Sequence, residues 1–268
     1  MQLGTTLTLP RDIDADLDHW LEPFLDATGR STRRKMAPLY VRGLLGSGGR
    51  KSVQPMAERL GLSGHDQLHH FISSPAWDDA PLWRVLAEQV DRQVGGEGAV
   101  LVVDDSGLSK KGDLSVGVVR QDCGELGKVA NCQVVVTGHY TDPRTHWPLG
   151  TRLYLPERWA SDPARRESAR VPAAVTFATK PELALELLDA ARADGVAHAA
   201  VTADCAYGDT PSFLAELEAR EEPYVVQVSK TCGVRRPHEV MTASLRTPPG
   251  GPRGRPRQHP HPVRVAPL

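Results

Sequence analysis

From residue 14 to residue 95 the apolar positions recur at helical spacing. Trp20, Leu21, Phe24 and Leu25 follow an Asp-rich start that suits a helix N-terminus, and Leu39, Tyr40, Leu44 and Leu45 repeat the pattern. Between residues 52 and 74, Met56, Leu60 and Leu62 lead through Gly61 and Ser63-Gly64 into Leu68, Phe71 and Ile72. This predicts two short helices joined by a tight Gly-containing turn. A helix-turn-helix has that outline, with a second helix able to enter a major groove, and so do many plain helical hairpins. Pro81 to Val94 predicts a further amphipathic helix.

At Gly98 the period changes. AVLVVDD (99–105) is a short β-branched apolar run ending in two acids, the pattern of a buried central strand. LSVGVVRQ (114–121) and NCQVVVTGHYT (131–141) alternate and predict a meander pairing with that strand, and WPLGTRLYLP (147–156) predicts another strand. Pro181 to Ala193 reads as a helix with Leu183, Leu187, Leu188 and Ala191 on one face. AHAAVTAD (197–204) is a second buried strand ending in an acid, Ser212 to Arg220 a helix, and PYVVQVS (223–229) a third buried strand. Three paired strands followed by helix, strand, helix, strand make a mixed α/β sheet. No GxGxxG or Walker A sequence accompanies it.

The 268 residues suffice for one large domain or two small ones with a buried core. An apolar content of 40% excludes a disordered chain, and no apolar run reaches the roughly 18 residues of a transmembrane helix. The start, MQLGTTLTLPRDID, has no basic segment followed by an apolar one, so no signal peptide is expected. The formal net charge of -1 speaks against a nucleic-acid partner only as an average. Between Asp26 and Glu58 there is no acid, while Arg30, Arg33, Arg34, Lys35, Arg42, Arg50 and Lys51 give +7. Thr231 to Leu268 carries +6, with Glu239 its sole acid, and the remainder of the chain holds -14. Basic runs of this kind are the electrostatic footprint of phosphate binding, and equally of a solvated helix face.

Cys123, Cys132, Cys205 and Cys232 form no CxxC and precede no His pair at zinc-finger spacing, so a structural zinc site is not expected and a reducing cytosol is. His65, His69 and His70 lie outside any HExxH. Two strands, 99–105 and 197–204, end in aspartates, and in an open α/β sheet the carboxyl ends of strands line the ligand crevice. If those strands are neighbours, Asp105 or Asp104 faces Asp204. Paired carboxylates repel unless a cation lies between them, and oxygen-only donors suit Mg²⁺ or Mn²⁺. A lone strand-end aspartate more often caps a turn.

The string VDDSGLSKKGDLSVGVVRQDCGELGKVANCQVVVTGHY, followed by RLYLPERWASDPARR, FATKPELALELL and VTADCAYGD, resembles the transposases of the IS701 insertion-sequence family, within the wider DDE transposases. The likeness is dense from about Trp20 to Val228. It implies an RNase H-like mixed sheet with flanking helices, preceded by an all-helical region. The implied divisions are 1–96 (helical, DNA-binding), 97–230 (catalytic core) and 231–268 (a Pro/Arg-rich tail, disordered). The DDSG motif would supply the first catalytic aspartate, Asp105, followed by a small hydroxyl residue, with Asp104 the alternative; TADCAYG would supply Asp204. Asp105 and Asp204 would hold Mg²⁺ or Mn²⁺ for hydrolysis at transposon ends and attack of the freed 3′-hydroxyl on target DNA. Cys205 sits at a variable position and is not read as a nucleophile. Arg120, Asn131, Gln133 and Lys180 fall in family-like motifs that sheet structure, or the start of a helix at Pro181, explains as well. The implied partners are double-stranded DNA, at insertion-sequence ends and target, and a second copy in a homodimer. Candidate phosphate contacts are Arg33, Arg34, Lys35, Arg42, Arg50, Lys51, Lys110 and Lys111. The implied location is the cytoplasm, with no membrane.

DDE enzymes use a third acid, a Glu on a helix beyond the last core strand. After Ser229 the sole acid is Glu239, in a segment with no apolar period whose family likeness is expected to stop at about Cys232. Arg outnumbers Lys 25 to 7, a mark of GC-rich coding DNA, in which a shifted frame yields Pro, Arg and Gly. The expectation is a frameshifted or truncated transposase with little strand transfer. The alternatives are a genuine basic tail that binds DNA and, for function, a DNA-binding regulatory fragment that inhibits an intact transposase.

Overall fold

In the computed structural model, residues 13–74, 77–94, 96, 98–234 and 263–264 are described. Most of the 231–268 tail, Glu239 included, lies outside them. The chain divides into two units, residues 1–93 with 194–196, and residues 94–193 with 197–268.

The first unit is helical, as its 3.6-residue pattern predicts. It holds α1 (Ile13–Ala27), α2 (Ser31–Leu45), α3 (Val53–Arg59), α4 (Asp66–Ser73) and α5 (Ala80–Val94). Asp14 and Asp16 sit in the first turn of α1, where the helix dipole favours acids. Past the end of α1, Gly29 takes φ +72°, a conformation that suits a residue without Cβ. Met56 and Ala57 of α3 and Leu68 of α4 form a small core, covered by Met36, Leu39 and Tyr40 of α2. The helices α3 and α4 form where expected, but residues 60–65 join them, a longer link than the three or four residues of a compact helix-turn-helix.

The second unit is built on a six-stranded mixed sheet. Its centre is β1 (Val100–Ser109), antiparallel to β3 (Lys128–Thr141) on one side and parallel to β5 (Ala200–Ala203) on the other. Beyond β5 lies the parallel β6 (Tyr224–Val226). The outer edge of β3 is shared by β2 (Val119–Cys123) near its start and β4 (His146–Leu153) near its end. The expected meander is therefore altered: β2 pairs with β3 and not with β1, and residues 114–118 are not strand. Strict alternation along β3 puts Cys132, Val134, Val136 and Tyr140 in the interior, as period 2 requires. This mixed sheet with flanking helices is an α/β RNase H-like fold.

Helix α8 (Lys180–Ala193) packs over β1, β3 and β4 through Leu183, Leu187, Leu188 and Ala191, the face expected from its spacing. Two short helices, α6 (Glu157–Ala160) and α7 (Pro163–Ser168), follow β4. The buried Trp159 of α6 donates its indole N–H to the Val118 carbonyl (2.9 Å) and carries Arg165 stacked 3.8 Å above its ring. After β5 the chain turns through α9 (Cys205–Gly208) into α10 (Pro211–Ala219), whose Phe213 and Leu217 are buried.

At Gly208 a Cβ would fall 1.9 Å from the Gln227 carbonyl oxygen just past β6. Because the obstructing atom is backbone, no rotamer change relieves the clash. Gly208→Ala is expected to destabilise the protein by about 2–3 kcal/mol, read as a lower urea midpoint at unchanged slope.

Candidate functional site

Strand pleat and pairing register place the carboxylates. Along β1, Leu101 and Val103 are buried on the face under α8, and Asp105, two residues on, continues that row half-exposed. Asp104, on the opposite row, is exposed, and its carboxylate accepts the Asp105 backbone N–H at 2.7 Å. Val103 lies beside Ala203 in the parallel β1–β5 ladder, so both strands reach their acids at the same level. Asp204 stands one residue past β5, as the N-cap of α9, where it accepts the Ala206 N–H at 2.9 Å. There the pleat no longer dictates its direction.

Asp104, Asp105 and Asp204 open into one cleft of about 710 Å³ at the carboxyl ends of the strands. Asp122 and Glu125, from β2 and the 3-10 turn Gly124–Leu126, also line it. Glu125 accepts the Ser109 N–H at 3.1 Å. Among the described residues that line the cleft, the cation is Lys180, whose Nζ lies 2.9 Å from Asp105 Oδ2. Among the described residues, no three His, Cys, Asp or Glu side chains converge closely enough to hold an ion by themselves.

Tyr207, in α9 behind Asp204, is a buried residue that local pattern did not single out. It is 1% exposed, its ring packs on Phe213 at 5.6 Å, and its hydroxyl has no hydrogen-bond partner among the described residues. Burial pushes its pKa strongly upward, and the charges of Asp105, Asp104 and Asp204 add to the effect. The hydroxyl is therefore held protonated. The Tyr within TADCAYGD was visible in the sequence, but its burial was not.

The loop after β1 carries Lys110 and Lys111, both exposed. Asn131 fastens it by donating to the carbonyls of Lys110 and Gly112, and Gln133 donates to the Val116 carbonyl at 2.6 Å. These two residues hold a loop in place, and Arg120 is exposed on β2 opposite Asn131. In the helical unit the basic candidates divide. Arg42 is clamped by Asp14 and Asp18, which hold its guanidinium more firmly protonated, and Arg34 pairs with Asp26 at 2.7 Å. Arg33 stacks on Trp77 with its guanidinium carbon 4.4 Å from the ring centre, and Lys51 donates to the Gly46 carbonyl. Arg30, Lys35 and Arg50 are exposed and in no ion pair among the described residues. The +7 of this stretch is thus partly neutralised by acids from α1, most of which lies outside it in sequence.

An unpartnered buried hydroxyl costs free energy, so Tyr207→Phe is expected to leave stability unchanged or raise it by up to about 1 kcal/mol. Thermal unfolding of the two proteins side by side checks this, and a clear fall in Tm would show that the hydroxyl has a partner.

The sequence profile of the DDE superfamily endonucleases matches residues 23–267. The matched stretch runs past Cys232, correcting the expectation that family likeness stops there. A protein of Microchaete diplosiphon, named as a probable transposase for insertion sequence element IS701, is 29% identical over 180 residues, covering 67% of this chain and 44% of that protein. The chain thus aligns with less than half the length of that relative. No helix among the described residues is long and apolar enough to cross a membrane. With strand-end aspartates in one cleft of an RNase H-like sheet and a profile match along most of its length, the chain belongs to the DDE superfamily endonucleases.

Proposed function

We propose that this chain is a DDE-type transposase that binds double-stranded DNA at insertion-sequence ends and acts on its phosphodiester bonds. The observation that carries the proposal is the β1–β5 register, which brings Asp104 level with Asp204 and Asp105 one residue beyond, all at the rim of one cleft. DDE endonucleases in general use divalent metal ions, and the donors here fit one. They are all oxygen, they carry excess negative charge, and an ammonium now balances that charge at Asp105. Asp105 and Asp204 would hold Mg²⁺ or Mn²⁺, which when bound would activate water and stabilise charge on the phosphodiester oxygens. The protein's own part is to orient these carboxylates through the β1–β5 ladder and the α9 cap, and to draw in the DNA backbone. Exposed Lys110 and Lys111 beyond β1, with Lys35 and Arg50 in the helical unit, are the phosphate-binding groups best supported by exposure.

Cleavage and strand transfer are slow on this reading. The other acids lining the cleft are Asp122 and Glu125, and Glu125 is already engaged by the Ser109 backbone. With no third carboxylate set against Asp105 and Asp204 among the described residues, the ion would be held weakly. DNA occupancy then outlasts chemistry, as the regulatory alternative requires.

Two measurements test this. In gel shifts with insertion-sequence end DNA, affinity should fall steeply with salt. Lys110→Ala with Lys111→Ala should weaken binding and make the log–log salt slope shallower by about one for each phosphate left without its lysine. Incubated with the same DNA and Mg²⁺, the chain should cut slowly, and Asp105→Asn or Asp204→Asn should abolish what cutting there is. Efficient strand transfer would overturn the slow-enzyme reading, and salt-insensitive binding would overturn the role of the lysines on phosphate.

A further inference from the structure

Lys180 lies where a lysine is poorly placed by local physics. It is the first residue of α8, at the positive end of the helix dipole, where cations are disfavoured. Its Nζ reaches Asp105 Oδ2 at 2.9 Å, across 75 residues of sequence, and lies 5.9 Å from the centre of the Tyr154 ring. About a third of the side chain is exposed (32%), and it lines the cleft that holds Asp104 and Asp204. A flexible four-carbon stem set against its helix dipole, held at its tip by one carboxylate and open to a cleft, is built to let go.

We propose that Lys180 is the resident counter-cation of the carboxylate pair. It neutralises Asp105 while no divalent ion is bound, competes with that ion for the same carboxylate, and swings into the cleft when the ion arrives. The inference rests on the assignment of Asp105 and Asp204 as ion ligands. Its physical basis is simple: an ammonium and a divalent cation on one carboxylate repel within a few ångströms, and the ammonium has somewhere to go. Once released, its charge stays in the cleft that the DNA backbone would enter. The sequence hides this role, because a Lys before Pro181 and Glu182 reads as the start of a helix.

The test is Mn²⁺ affinity of the full chain without DNA, measured by titration calorimetry. Lys180→Met removes the competitor and should bind Mn²⁺ about tenfold more tightly than the unaltered chain. Lys180→Arg keeps the charge and should stay within about twofold of the unaltered chain. Asp105→Asn and Asp204→Asn should each bind more weakly. If both acid variants bind as the unaltered chain does, the ion site is elsewhere and the ligand assignment fails. If they weaken binding while Lys180→Met leaves it unchanged or weaker, the ligands stand and the counter-cation role is overturned. A second measurement follows the lysine itself in the unaltered chain. The ε-methylene NMR signal of Lys180, assigned through Lys180→Arg, should move on Mg²⁺ addition toward the signals of the exposed lysines, and a signal that does not move overturns the release.

Discussion

The parallel pairing of β1 with β5 is the constraint on which the site depends. The two strands are far apart in sequence, yet their ladder sets Val103 beside Ala203 and so brings two acidic strand ends to one level. Parallel strands have no short link. The intervening chain folds into the β2–β3–β4 half of the sheet and then into α8, which covers the β1 row of Leu101 and Val103. That crossover helix also delivers Lys180 to Asp105. One topological choice therefore fixes the positions of the carboxylates, their cover and their counter-charge together.

Electrostatics in the two units follows the same logic at different cost. Among the described residues lining the cleft, three aspartates and two further acids share it with Lys180, which contacts Asp105, an excess of negative charge that favours cations. Tyr207, in the helix that Asp204 caps, has a buried hydroxyl with no partner among the described residues, an unusual expense in a folded protein. In the helical unit the basic stretch is trimmed by ion pairs with α1, which leaves a smaller exposed set than its charge count suggests. Exposed pairs of that kind add little stability, but they decide which guanidinium groups are available to phosphate.

Much of the fold was legible because its elements are strongly periodic. The face of α8 and the alternation of β3 follow from spacings of 3.6 and 2 residues, and the two short helices after Ser52 follow from the apolar and glycine positions. The expected pairing of the 114–121 segment with the first strand was not met. Alternation predicts that a strand has an inner face, but it is silent about which neighbour supplies the hydrogen bonds, and β3 took both places beside β1 and β2. Asn131 and Gln133 looked as consistent with function as with structure until their amides were seen to hold the Lys110 loop.

The sequence by itself determined where the carboxylates fall, because an apolar strand that ends in Asp carries that Asp to its carboxyl end whatever surrounds it. It also determined the helical character of the stretch that forms α1 to α5 and the likeness to DDE enzymes. Only the tertiary structure decided that Asp105 meets Lys180, that Arg42 is spent on Asp14 and Asp18, and that the Tyr207 hydroxyl is buried without a partner among the described residues. The reason is physical. Periodicity reports the environment of each residue along its own element, whereas these encounters join groups from different elements and exist only once the strand order and helix packing are set.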